Sequence, residues 1–224
     1  KEETLLSHLV ELRSRLLKAG GCILVLFICM APFSDFIFSS VALPLMRQLP
    51  EGSSMIATQV ASPFLTPFKT TMFAALFLSM PVVLYQVWSF AAPGLYYKEK
   101  RFAVPLLISS IALFYLGTVF AYVVVFPIVF AFFTSAAPTG VAVMTDIASY
   151  LDFVLVLFFA FGVAFEVPIA TVILVWSGLT TVEALKKNRA YVFLGAFVIG
   201  MLVTPPDIIS QTLLAVPVYL LYEC

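Results

Sequence analysis

The sequence predicts an all-α polytopic membrane protein with six transmembrane helices, the last two short, and with both termini on the cytoplasmic side. Three observations carry this reading. Of 224 residues, 62% are hydrophobic and 11% charged, with a mean hydropathy of +1.10, which is more apolar surface than a soluble chain of this length can hide. The apolar residues form long runs separated by short polar segments. The basic residues gather in alternate segments, the pattern that sets orientation in a bilayer.

Taken in order, residues 1–18 predict an amphipathic helix of their own. At 100° per residue Leu5, Leu9, Leu12 and Leu16 form one stripe and His8, Glu11, Arg15 and Lys18 another. We expect it on the cytoplasmic membrane surface. Spans follow at 19–38, 70–92, 102–126, 153–175, 190–203 and 208–221, forming one integral membrane domain over 1–224. The last two reach only about 21 Å against a hydrocarbon core of about 30 Å, so they thin the bilayer or form a re-entrant pair. Thr204-Pro205-Pro206-Asp207 reads as the turn between them, because two prolines end a helix and Asp207 can cap the next. The outer segment 39–69 carries Pro44, Pro50, Gly52, Pro63 and Pro67 and reads as a packed cap. Within the spans Pro81, Pro105, Pro168 and Pro217 each remove a donor and free a carbonyl one turn back.

Ten of the twelve basic residues fall on one side: Lys1, Arg13, Arg15 and Lys18 before the first span, Lys98, Lys100 and Arg101 between the second and third, and Lys186, Lys187 and Arg189 between the fourth and fifth. Only Arg47 and Lys69 oppose them. Twelve acidic residues balance the charge, so nothing in it calls for a nucleic acid partner. The missing leading Met and the stop just after Glu223 point to a trimmed chain, with no cleavable signal peptide before the first span.

Glu166 is the only ionisable side chain between Asp152 and Glu183. A carboxylate near mid-bilayer costs about 2.5–3.5 kcal/mol on insertion scales, so intramembrane acids mark sites by default. The plain alternative is a neutral glutamic acid that only bonds a neighbouring span. Glu11 and Glu99 are acids inside basic segments. Spacing alone makes Glu11 an i,i+4 partner of Arg15 and Glu99 a solvated loop charge. His8 reads as a surface residue, Asp207 with Gln211 as a helix start, and Thr180-Thr-Val-Glu183 as a capping box. No nucleotide-binding, hydrolase or metalloprotease motif occurs. Cys22 and Cys29 lie about 10 Å apart along one helix, too far for a disulfide. We expect no enzyme activity, no cofactor and no metal site.

Five segments carry a resemblance: His8-Leu-Val-Glu-Leu-Arg13, Ala61-Ser-Pro-Phe-Leu-Thr-Pro-Phe-Lys69, Tyr85-Gln-Val-Trp-Ser-Phe-Ala-Ala-Pro93, Phe161-Gly-Val-Ala-Phe-Glu166-Val-Pro168 and Gly200-Met-Leu-Val-Thr-Pro-Pro-Asp207. Over about Ser7 to Glu223 the chain resembles the TatC family, the large subunit of the bacterial twin-arginine protein translocase. The resemblance implies a multi-pass protein of the bacterial inner membrane that binds twin-arginine signal peptides of folded cargo. It implies assembly with small single-span subunits of the TatA and TatB type in an oligomeric complex, powered by the proton-motive force. It puts signal-peptide binding at Glu11, Arg13, Phe90 and Glu99, a polar intramembrane groove at Glu166, and a cap over that groove that includes Pro44. Partner contact falls at Met201, Asp207 and Gln211. Gln59 and the absent C-terminal tail depart from the family pattern. An ion-coupled secondary transporter with Glu166 and Asp207 as a proton path is the alternative, but it calls for inverted repeats, and none is visible. A ligand-free membrane scaffold is the third reading.

Overall fold

The described residues are almost entirely helical, the arrangement that lets backbone groups bond within each segment, as a bilayer demands. The computed structural model describes residues 2–46, 55–91, 100–135, 145–176, 178–203 and 208–223. Among them there is no strand, only one parallel bridge between Ile56 and Asp146. Four stretches are long and apolar enough to cross a membrane: Leu9–Leu43, Ser62–Phe90, Val104–Phe132 and Ile147–Trp176.

Helix α1 runs unbroken over Glu2–Met30. The expected boundary between a surface helix at 1–18 and a span beginning at 19 is therefore absent. No proline interrupts this stretch, and helix propagation through Gly20-Gly21 costs less than exposing backbone groups to lipid. Pro32 ends it with a 3₁₀ turn, Ala31–Phe33, before α2 at Ser34–Met46. The segment expected as a cap at 39–69 is thus helical at both ends, since α2 reaches Met46 and α3 begins at Ser62.

Helix α3, Ser62–Ala91, is 30 residues long and contains Pro67 and Pro81. Pro81 has no N–H for the Phe77 carbonyl, and Tyr115 supplies the missing donor through its hydroxyl at 2.9 Å. α1 and α2 pack along α3. Helix α4, Lys100–Phe120, passes through a π turn at Ala121–Val125 into α5, Phe126–Ser135. The span expected to stop at residue 126 continues, because the π turn absorbs the register error that Pro127 introduces.

Helix α6, Ile147–Ala164, and α7, Val167–Trp176, are two parts of one span, broken at Phe165–Glu166. A short helix α8, Val182–Lys187, starts one residue later than the expected capping box: the Thr181 hydroxyl oxygen accepts from the Ala184 N–H at 3.2 Å. Helices α9, Arg189–Val203, and α10, Ile208–Glu223, form the short terminal pair within two residues of the expected bounds. The turn at 204–207 lies outside the described residues.

The core is aromatic and centred on the packing of α4 and α5 against α6. Phe126 stacks on Phe158 at 4.9 Å, and Phe114, Phe126 and Phe161 are all but fully buried. Two glycines permit the closest approach. A Cβ on Gly117 would lie 2.4 Å from the Phe161 carbonyl oxygen, and one on Gly162 would lie 2.5 Å from the Phe114 ring. Lipid tails provide no hydrophobic drive between helices, so such backbone contact is what holds them.

At the far end of α6, Asp146 ties two loops together. Its Oδ1 accepts from the Thr58 N–H at 3.0 Å and hydroxyl at 2.9 Å, and its Oδ2 from the Ser149 N–H at 3.0 Å and hydroxyl at 2.9 Å. Ile56 completes the clamp, donating to the Thr145 carbonyl at 3.0 Å and accepting from the Ile147 N–H at 2.9 Å. Lys69 and Asp152 form an ion pair between α3 and α6. The Ser149 and Thr58 amides hold the Asp146 carboxyl well below the usual carboxylate range.

Two outcomes follow from this architecture. Gly117→Ala should lower thermal stability in detergent by about 1–3 kcal/mol through overpacking against immobile backbone, whereas Gly195→Ala, whose added Cβ meets nothing within 4 Å, should not. A depressed carboxyl stabilises the fold above its unfolded value near 3.9 and loses that contribution only as pH falls below it. Hydrogen exchange at the Ile56 and Thr58 amides should therefore stay slow from pH 7 to pH 5 and accelerate in Asp146→Ala.

Candidate functional site

The break between α6 and α7 is made by Pro168, which offers no N–H to the Ala164 carbonyl. The Glu166 N–H instead donates to Val163 in a tighter turn at 3.0 Å, and the Glu166 carbonyl opens α7 by accepting from Ala170 at 2.9 Å. The carboxyl is thereby placed at a point where the helix cannot satisfy all of its own groups. Two neighbouring spans reach it. The Trp88 indole N–H on α3 donates to Ser110 Oγ at 2.9 Å, and the Ser110 hydroxyl on α4 donates to Glu166 Oε2 at 2.5 Å. Ser110 is fully buried. Glu166 Oε1 is buried as well and has no hydrogen-bond partner among the described residues, and the same holds for Ser89 Oγ beside Trp88.

This arrangement holds one carboxyl oxygen with a neutral hydroxyl, itself held by the Trp88 indole, and leaves the other able to accept a donor brought by another molecule or helix. The Ser110 hydroxyl held against this carboxyl is fully buried and offers no accessible nucleophile. Among the described residues no group of three or more His, Cys, Asp or Glu is placed to hold a metal. Trp88 and Ser110 did not stand out in the sequence. Their only signal was a polar atom inside the apolar runs of the second and third spans.

Glu11 lies on α1 in a different setting. Its Oε1 accepts from Arg15 Nε at 2.9 Å and from Arg15 Nη2 at 2.6 Å, and both side chains are partly exposed. Arg13 falls about 200° around the helix from Glu11. It lines a shallow groove with Val10, Ser14, Leu17 and Lys18. Phe90 is half-buried in the last turn of α3. Glu99 and Asp207 lie outside the described residues. Pro44 belongs to the last turn of α2. Met201 is exposed near the end of α9, while the Gln211 amide donates to the Phe197 carbonyl at 2.8 Å and packs over Gly200. Gln211 thus pins α9 to α10, and only Met201 of the two presents its side chain outward. Among the described residues, no hydrogen bond or ion pair joins Glu11 to the Glu166 cluster.

Residues 7–217 match the family model described as Sec-independent protein translocase protein (TatC). The Sec-independent protein translocase protein TatC of Azotobacter chroococcum mcd 1 is 60% identical over 219 residues, covering 98% of this chain and 86% of that protein. The protein of the same name from Escherichia coli (strain K12) is 58% identical over 221 residues, covering 99% and 86%. A crystal structure of the twin arginine translocase receptor TatC superposes with a TM-score of 0.85 at 37% identity, covering 96% of this chain and 95% of that one. A second, of the same receptor in DDM, gives 0.87 at 37% identity over 96% of each. The multi-pass helical arrangement and these similarities agree: the chain belongs to the TatC family of Sec-independent protein translocase proteins, and is a translocase component and not an enzyme.

Proposed function

We propose that the chain is the receptor subunit that binds twin-arginine signal peptides at the cytoplasmic face of a bacterial inner membrane. On this reading it spans the membrane six times with both ends cytoplasmic. It joins small single-span subunits of the TatA and TatB type in an oligomeric complex that exports folded proteins at the expense of the proton-motive force. Met201, Asp207 and Gln211 mark the partner contact, and the segment that includes Pro44 caps the groove around Glu166.

The observation that supports this best is the hold of Glu11 on a guanidinium. Its carboxylate already takes Arg15 through two N–H donors that converge on Oε1, a use of the planar guanidinium that lysine cannot copy. A signal arginine reproduces that contact by displacing Arg15, so binding is an exchange and not a gain of one new pair. Exposed pairs yield about 0–1 kcal/mol each, far from the −8 kcal/mol of micromolar binding. The arginines therefore supply specificity, with Glu11, Arg13, Phe90 and Glu99 as the recognition set, and the apolar segment of the signal supplies most of the affinity.

Binding of fluorescent signal peptides to the purified chain in nanodiscs tests this. Glu99→Ala should weaken an Arg-Arg signal by up to about fivefold, the loss of one exposed pair, and a Lys-Lys signal much less. Equal losses for the two peptides would remove Glu99 from recognition. In an export assay Glu166→Gln, which keeps an acceptor for Ser110, should be tolerated and Glu166→Leu should not. If Gln were as damaging as Leu, titration of the carboxyl would be the operative property and not its polarity.

A further inference from the structure

A second cavity, of about 560 Å³, opens between α7, α8 and α10. Its long wall is α7. Lining residues run from Pro168 to Trp176, about 12 Å at 1.5 Å per residue. Trp176 is also the last residue of the apolar stretch long enough to span. One end of the slot therefore lies at hydrocarbon depth and the other at the membrane boundary. The deep end is lined by Pro168, Thr171 and Val172, where the Thr171 hydroxyl donates to the Pro168 carbonyl at 2.8 Å, Val175 and Leu221 add apolar surface nearer the membrane boundary, and the mouth carries Lys186 and Arg189.

The mouth is built, not a chance gathering of surface cations. The Tyr222 hydroxyl donates to the Leu185 carbonyl at 2.8 Å and ties α10 to α8. Arg189 Nε meets Glu223 Oε1 at 3.0 Å, which fixes the guanidinium at the rim. That contact engages one of the five N–H donors of the guanidinium. Lys186 is exposed and has no ion pair among the described residues. With Lys186 and Arg189 against Glu223, the charged groups lining the cavity sum to +1.

We propose that this cavity binds one anionic phospholipid, with the phosphate at Lys186 and Arg189 and an acyl chain along α7 toward Pro168. Basic pockets between transmembrane helices take such headgroups, and the volume lies in the usual range for ligand sites, about 300–1,000 Å³. The slot is amphipathic along its length, which fits a lipid and not a free anion. The site is independent of signal-peptide recognition, and its failure would leave that reading untouched.

Native mass spectrometry of the full chain released from nanodiscs tests the proposal. The probes are dioleoylphosphatidylglycerol and dioleoylphosphatidylcholine in equal amounts. One phosphatidylglycerol should be retained in preference to phosphatidylcholine, and Lys186→Gln should reduce its retention about fivefold, the contribution of one cation near the surface. Lys187→Gln, which removes the adjacent lysine that does not line the cavity, should have little effect. Val172→Trp, which fills the apolar slot without touching charge, should also reduce retention. Equal retention of the two lipids, equal effects at Lys186 and Lys187, or competition by millimolar inorganic phosphate would each overturn a lipid site. Unchanged retention in Val172→Trp would do the same.

Discussion

The contact on which the intramembrane site depends is the backbone approach of α4 to α6 at Gly117 and Gly162. The pairing is antiparallel, with Gly162 against Phe114 and Glu166 against Ser110. Phe114 lies one turn from Ser110, and Gly162 one turn from Glu166. The glycine contact and the hydroxyl–carboxyl bond are therefore consecutive steps of one ladder. Spreading the helices at Gly162 by the width of a methyl group would move Ser110 beyond bonding reach, because a hydroxyl–carboxylate bond tolerates only a few tenths of an ångström. In lipid, no hydrophobic force would close that gap again.

Proline sets the second constraint, and the chain answers it in three ways. At Pro81 a side chain from another span, Tyr115, takes the orphaned carbonyl. At Pro127 the helix widens into a π turn and continues. At Pro168 it breaks, and the break carries Glu166. Only the third leaves a polar atom without a partner at the site, Glu166 Oε1, which is buried and unbonded among the described residues. The same residue type thus makes structure in two spans and an open polar site in one, the difference being whether a neighbouring span brings a donor.

What the sequence made legible follows the range over which each cause acts. Hydropathy runs and proline positions are local, and they placed α9 and α10 within two residues and singled out Glu166 beside Pro168. The continuity of α1 was not legible, because an amphipathic stretch preceding an apolar one reads as two helices when lipid is not weighed against surface. Asp146 was not singled out in the sequence, although half of its role has a local signal. An acid before an apolar run with Ser149 three residues on signals a cap, but the Thr58 bond spans 88 positions and has no local trace. Trp88 and Ser110 were hidden for the same reason, since a lone polar residue in an apolar span more often bonds its own helix, as Thr118 does to Phe114.

Glu11 and Glu166 differ in what it costs to bring a cation to them. Glu11 sits partly exposed and already holds Arg15, so replacing one guanidinium with another leaves the charge count and the solvation almost unchanged. Glu166 is held by two neutral donors in series, and a cation drawn to it would have to leave water for a depth where an arginine alone costs about 2.5–3.5 kcal/mol or more. A twin-arginine ligand under the proposed function is therefore captured where the exchange is nearly neutral, at the boundary. What Glu166 can offer a ligand lying deeper is a single unsatisfied acceptor, and the group that suits such an acceptor in lipid is a neutral amide or hydroxyl.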